Sequence, residues 1–349
     1  MSWRVLRTDD IERLTSITVQ FEEMKRLIEL GTATHARLAF LLIDNAAETL
    51  MFRNIECLLS STHLHEQLLR RYDELLELTD ERGILQNRDE IADQIVPKRR
   101  RAELRRNFNA KADFLCEHDC LEGTQARVLK RLHGYRNELY HRDTIRAETI
   151  QPACLLYFDL ACTLLEHLRQ FETYSIVKTV PATLAKYRQS DVSWGTPSTR
   201  DIAAQLRVGL GIDDTAMRHF LIEHLTSRLN DIDNRVDYLE QSIFPGMREI
   251  FLGGPWRELI IRVAQVHEDY DEPPDIDELL QLTLRYGPPD LPRWRAAVEQ
   301  LAGHEDSLSL FAAFADIEED MEPFETQLED LAERFSIEEQ RAEDMRRRK

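Results

Sequence analysis

The chain has 349 residues, a formal net charge of −19, and only 12 Gly and 12 Pro. That length allows two domains with separate cores, and a composition rich in Leu, Ala, Glu and Arg but poor in helix breakers predicts an all-α protein. It also excludes a membrane-spanning reading: no window approaches the roughly 20 apolar residues a bilayer crossing needs, and the longest apolar run, Leu38–Ile43, stops at Asp44.

The opening MSWRVLRTDDIERL brings acids early and has no apolar core, so it is not read as a secretory signal. Five cysteines (Cys57, Cys116, Cys120, Cys154, Cys162) are an odd number, read as reduced thiols in a cytoplasmic protein. Charge is uneven. Residues 1–175 hold 25 Lys/Arg against 29 Asp/Glu, a net of −4, which leaves −15 of the total in 176–349. A negative field repels phosphate backbones, so any nucleic-acid contact is expected in the N-terminal half, and partners or autoinhibition in the acidic one.

The first predicted helix, Asp9–Leu30, carries Ile11, Leu14, Ile17, Phe21, Met24 and Ile28 at steps of three and four, and Gly31 can end it. A second runs from about Thr34 past Leu59, with Leu38, Leu41, Leu42, Asn45, Thr49 and Phe52 read as its inward side. Asp44 and Glu48 lie four apart in that apolar stretch, placed either to orient a neighbouring cation or on its wet side. A third covers Leu64–Leu78. After Pro97 comes the basic run Lys98, Arg99, Arg100, Arg101, Arg105 and Arg106, read as an RNA-backbone patch or a solvated helix start, leading into a helix through Phe108 and Phe114. The next helix runs from about Thr124 toward Tyr140, and Pro152–Tyr174 is the last strongly apolar one, which makes a bundle of five or six helices over residues 1–178.

Pro181, Gly195 and Pro197 among polar residues mark 179–198 as a linker. A second helical domain is expected over 199–349, with helices near Thr199–Leu210, Asp214–Leu239, Pro255–Tyr270, Ile276–Arg285, Leu291–Ala302 and from Met321 onward. It has no Gly-rich phosphate loop, no His-Glu-x-x-His and no nucleophile elbow. TRDIAAQLRVGLGIDD has a helix-turn-helix cadence, but the surrounding acidity argues against DNA. A sensor or protein-interaction module is the reading, and the terminal RRRK is read as a solvated end.

Chemistry concentrates in LKRLHGYRNELYHRDTI, residues 129–145. Val128, Leu132, Tyr135 and Leu139 form a stripe that faces the core, with Arg136 on one shoulder, Asn137 nearly opposite and His141 on the other shoulder. Five residues apart on a regular helix means about 140° apart around it. One copy of the helix therefore does not line Arg136 and His141 up, whereas two copies across a twofold axis supply both. The residue types suit phosphodiester cleavage without a metal or cofactor: His shuttles protons near neutral pH, and the planar Arg fork matches phosphate oxygens. A 2′-hydroxyl as internal nucleophile requires RNA.

Arg136-Asn137-Glu138-Leu139-Tyr140-His141 resembles the R-x4-6-H motif of the HEPN superfamily of helical-bundle ribonucleases, which commonly has a polar residue directly after the Arg. The resemblance covers residues 1–175. It implies a homodimer with a composite cleft, catalytic Arg136, His141 and Asn137, products ending in a 2′,3′-cyclic phosphate, and employment in toxin-antitoxin or antiphage systems. Asp44, Glu48 and Tyr140 are expected to support the site. HEPN toxins silenced by a nucleotidyltransferase resemble R-x4-H-x-Y, whereas Asp143 stands at the last position here, which argues against that control.

The blander alternative is a non-catalytic RNA- or protein-binding adaptor or antitoxin component, in which Arg136 pairs with nearby acids and His141 favours the helix dipole. Cys116-Glu117-His118-Asp119-Cys120 is not read as a zinc site, since its spacing does not suit a closed tetrahedral set and no second ligand pair follows. His63 and His65 are read as ordinary surface residues.

Overall fold

A computed structural model describes residues 8–60, 62–78, 82–141, 149–168, 180–188, 196–243, 256–266, 276–288 and 290–347, with backbone alone at 8, 63, 82, 141, 243, 276, 277, 342 and 343. Among these residues there is no strand, so the chain is all-α. It divides into two compact units, Met1–Ile212 and Asp213–Lys349.

The first unit is built on α1 (Thr8–Glu29), α2 (Ala33–Leu59), α7 (Gly123–His141) and α8 (Ile150–Glu166). Gly31 takes φ +67°, a left-handed conformation cheap only for glycine, and so turns the chain between α1 and α2. Thr32 then caps α2 by accepting the His35 N–H at 3.3 Å. The stripe predicted on α1 is buried throughout. Phe21 meets Phe158 edge-on at 5.6 Å, and Phe40 meets Tyr157 in the same way at 5.2 Å.

The face predicted for α2 is corrected. Phe40, Ile43, Ala47, Leu50 and Met51 are buried, whereas Leu38 and Phe52 are exposed, as is Asn45, and Leu41, Leu42 and Thr49 are half-covered. Because α2 is apolar almost all round, its sequence pattern does not choose between the two faces.

Four shorter helices complete the flank: α3 (Thr62–Leu76), α4 (Arg82–Asp93), α5 (Lys98–Arg106) and α6 (Phe108–Glu117). The sequence reading has no counterpart for α4. The basic run does not flow straight into the Phe108 helix, because Asn107 ends α5 and caps α6 by accepting the Ala110 N–H at 3.1 Å. Beyond α8, α9 (Ala182–Ala185) and α10 (Thr199–Arg207) still belong to the first unit. The expected boundary in 179–198 therefore moves to the 212/213 junction. The physical reason is Arg207, whose guanidinium pairs with Asp159 at 2.6 Å and with Glu166, and donates to Thr163 Oγ1 at 2.9 Å, all on α8. The string with helix-turn-helix cadence thus spans the junction between units.

In the second unit, α11 (Asp214–Ile243) packs on α15 (Ser307–Arg347); α12 (Trp256–Val266) and α14 (Asp290–Gln300) pack on both, and α13 (Ile276–Gln281) packs on α12. α15 begins 14 residues before the predicted Met321 start and continues through Pro323. Trp294, Tyr286 and Phe324 cluster with ring centroids 5.5–6.0 Å apart, and Trp294 donates to Asp320 at 2.8 Å. No described helix is long and apolar enough to cross a membrane. Redrawn at the structural boundary, the charge is more polarised: residues 1–212 carry 30 Lys/Arg and 31 Asp/Glu, a net of −1, while 213–349 carry −18.

Candidate active site

The stripe of α7 packs inward as read: Val128 and Leu132 are fully buried, and Tyr135 and Leu139 nearly so. That orientation carries the next residues round the helix, His133 and Arg136, against α2 and α8. There they meet Asp44. Its side chain is 2% exposed, so it lies inside the bundle and not on the wet side of α2.

Three polar side chains surround this carboxylate. Tyr157 of α8 donates its hydroxyl to Oδ1 at 2.6 Å. His133 places Nδ1 at 2.8 Å from the same oxygen. Arg136 brings Nε to 3.3 Å from Oδ2, yet this nitrogen is shielded from solvent and makes no hydrogen bond among the described residues. The Arg136 contact is therefore an ion pair off the line of a full hydrogen bond. Burial first, then the Asp44 charge and the hydrogen bond to it, push the Tyr157 phenol well above its ordinary value.

The rest of Arg136 leads outward. Nη1 donates to Asn137 Oδ1 at 3.1 Å, and Cζ lies 4.9 Å from the Tyr140 ring centroid, on a ring that is 66% exposed. Arg136 itself is 31% exposed. The structure thus brings four of the predicted residues together, Asp44, Arg136, Asn137 and Tyr140. His141 closes α7 at the same end, and its side chain lies outside the described residues. Arg37 of α2 donates to the Leu139 carbonyl at 3.2 Å, fixing that helix end to the start of α2.

Glu48, one turn beyond Asp44, pairs with Lys111 of α6 at 2.6 Å. Lys111 is almost fully buried while Glu48 is partly exposed, so this pair ties α6 to α2 without reaching Arg136. Sequence reasoning does not single out His133. Its ring stacks flat on Phe108, with centroids 3.9 Å apart and planes 7° from parallel. The signal is its spacing of three from Arg136, which puts both side chains on one shoulder of α7, opposite the single acid that interrupts the apolar start of α2.

The basic run is divided by its partners. Arg101 pairs with Glu66 at 2.6 Å, and Arg100 with Glu103 and Glu117 at 3.2 and 3.4 Å. Lys98, Arg99, Arg105 and Arg106 are exposed. Arg106 lies two residues before Phe108, so the end of the run comes close to the ring that stacks on His133.

Away from this cluster, a groove of about 560 Å3 opens beside the far end of α2, lined in part by Leu58, His65, Val96, Arg100, Phe114 and His118. Fourteen residues separate Leu58 from Asp44, or about 20 Å along the helix axis. His65 is half-buried there with Nδ1 shielded and unbonded among the described residues, which corrects its reading as an ordinary surface residue; His63 lies outside the described side chains. His118 Nδ1 bonds the Phe114 carbonyl at 2.8 Å. Among the described residues no three His, Cys, Asp or Glu side chains converge as a metal site.

No family model, no curated protein and no solved structure matches this chain.

Proposed function

We propose that the chain is a metal-independent RNA endonuclease of HEPN type, acting as a homodimer and serving as a toxin or antiphage effector. The observation that carries this reading is the seating of Arg136: Nε is held against a buried carboxylate, while the side chain as a whole is 31% exposed and its guanidinium lies beside Asn137 and Tyr140. An arginine needed only for an ion pair would be fully engaged by it. Here the guanidinium is anchored at one edge and offers charge at the rim, the arrangement a phosphate requires.

In the reaction, one His141 takes the proton of a ribose 2′-hydroxyl, whose oxygen attacks the adjacent phosphorus. The bond to the 5′-oxygen breaks, and the His141 of a second copy supplies the proton to that leaving oxygen. The products are a 2′,3′-cyclic phosphate and a 5′-hydroxyl. Arg136 stabilises the extra charge on the pentacoordinate phosphorus, with Asn137 Nδ2–H donating to a phosphate oxygen. Lys98, Arg99, Arg105 and Arg106 hold the RNA backbone.

A second copy has a surface to meet. Leu38, Leu41, Leu42 and Phe52 form an outward apolar stripe on α2, and the Arg37 bond to Leu139 joins the start of that stripe to the end of α7 carrying His141. The −18 charge of the second unit suits a protein partner or trigger rather than RNA.

The test is cleavage of end-labelled RNA by the purified protein in EDTA. Wild type is expected to cut and leave cyclic-phosphate ends, with Arg136→Ala and His141→Ala folded, dimeric and inactive. Equal cutting by both variants, or loss of all cutting in EDTA, would overturn the assignment and favour the adaptor reading.

A further inference from the structure

His133 bonds a carboxylate that already has two other partners. Asp44 already has a short bond from Tyr157 on Oδ1, at 2.6 Å, and an arginine beside Oδ2. A single donor leaves a carboxylate able to turn about its Cβ–Cγ bond, carrying the other oxygen with it. A second donor on the same oxygen, from a different helix, removes that freedom. His133 is that donor, with Nδ1 at 2.8 Å from Oδ1. Because an ionised carboxylate only accepts, Nδ1 carries the proton. Phe108 stacks on one face of the imidazole, with centroids 3.9 Å apart, and favours this ring orientation.

We propose that His133 is a positioning residue for Arg136: by donating Nδ1–H to Asp44 Oδ1, it locks the carboxylate plane so that Oδ2 stays against the Arg136 guanidinium. The functional part of this proposal rests on Arg136 being the phosphate-facing group; the structural part does not. Without the His133 donor, Asp44 follows Tyr157 alone and Arg136 loses its fixed edge. A displacement on the order of 1 Å at a group that acts in the transition state costs up to about 100-fold in rate, and it falls on kcat more than on KM.

Two measurements on the full-length protein test it. Selective 15N-arginine labelling reports the Nε–H of Arg136, assigned by its disappearance in Arg136→Lys. In wild type this proton is expected to exchange slowly with water, because Nε is shielded from solvent. His133→Asn places an amide donor where Nδ1 stood and is expected to keep exchange slow. His133→Gln places its donor at the far ring position, and His133→Leu has none; both are expected to speed exchange at least tenfold. Equal exchange in Asn, Gln and wild type overturns the proposal, and so does equal acceleration in Asn and Gln. The Asn–Gln contrast keeps the test decisive if His133→Leu does not fold.

The second measurement is RNA cleavage. The Gln variant is expected to lose about 10- to 100-fold in kcat with little change in KM, and Asn to restore most of it. If Arg136→Ala cuts like wild type, the ribonuclease reading fails while the exchange data still decide the positioning. If Arg136→Ala is dead but Gln cuts like wild type, only the role of His133 in catalysis falls.

Discussion

Among the described residues each unit holds a buried carboxylate against an arginine, Asp44 in the first and Glu318 in the second, and the two pairs are built differently. In the second unit Glu318 is wholly enclosed, and Arg228, 14% exposed, reaches it at 2.6 Å while also holding Glu325. This guanidinium is committed on both edges and ties α11 to α15. In the first unit Asp44 is buried almost as deeply, but two neutral-capable donors, Tyr157 and His133, bond it, and Arg136 touches it with one imperfectly aligned nitrogen. Glu318 and Glu325 share one arginine, whereas Asp44 has two hydrogen-bond donors besides its own. The first arrangement is a staple; the second holds one edge of a cation that stays 31% exposed.

The largest expected effect follows from that difference. Arg228→Met removes one partner of a buried ion pair and is expected to cost about 3–5 kcal/mol, read as a fall in the urea midpoint. Arg136→Met leaves Asp44 with both of its other donors and is expected to cost at most about 1 kcal/mol, as for a partly exposed pair. Adding Glu318→Gln to Arg228→Met should recover much of the loss, because the buried charge goes with its partner. Equal costs for the two arginine substitutions would erase the distinction between the pairs.

Asp44→Asn sharpens it from the other side. The shape is kept, but the charge that anchors Arg136 is removed and an amide nitrogen meets existing donors. Stability should fall by about 1–3 kcal/mol, and RNA cleavage by about 100-fold, the scale of a misplaced transition-state group. A variant as active as wild type would show that Arg136 needs no anchor.

The third effect is a pH dependence. Tyr157 has its phenol raised well above the ordinary 10.0, chiefly by burial. The folded state therefore holds this proton more tightly than the unfolded chain. The stabilisation is complete below pH 10.0 and is lost as pH climbs toward the folded value, with a slope of about 1.4 kcal/mol per pH unit for one proton. Tyr187 and Tyr286 are raised too, again mainly by burial, so they contribute to the same alkaline limb. Tyr157→Phe should reduce the slope of urea stability above pH 10 without abolishing it. An unchanged slope would mean that the Asp44 cluster opens before the phenol ionises.

How far the sequence carries the reading depends on the period of each segment. On α7 a narrow stripe of four apolar residues selects one face, and the shoulder position of Arg136 follows from it. On α2 apolar residues surround the axis, and the spacing points to Leu38, Leu41, Leu42 and Phe52 as the inward set, while Phe40, Ile43, Leu50 and Met51 are the buried ones. That error conceals the burial of Asp44, which lies beside Ile43. His133 escapes a sequence reading because a histidine takes its meaning from a partner 89 residues away, and no local pattern encodes that contact. The domain boundary goes astray for the same kind of reason: Pro and Gly in 179–198 mark a connection, but Arg207 reaching back to Asp159 and Glu166 decides which unit the next helix joins.

The smallest effect concerns the basic run, where the two-arginine comparison recurs at the surface. Arg100 and Arg101 already hold carboxylates, whereas Lys98, Arg99, Arg105 and Arg106 lie exposed. A cation engaged with a carboxylate releases no net counterion charge when RNA arrives, because its acid must be displaced first. An exposed cation does, and each phosphate it neutralises on a single strand adds about 0.7 to the slope of log affinity against log salt. In a His141→Ala background, which allows binding to be measured without cutting, replacing the four exposed cations by Gln is expected to flatten that slope by up to about 0.7 for every phosphate left unneutralised. Replacing Arg100 and Arg101 should leave the slope unchanged. If the second pair flattens it as much as the exposed set, the ion pairs of α5 open on binding, and engagement in the free protein no longer separates structural arginines from those that meet RNA.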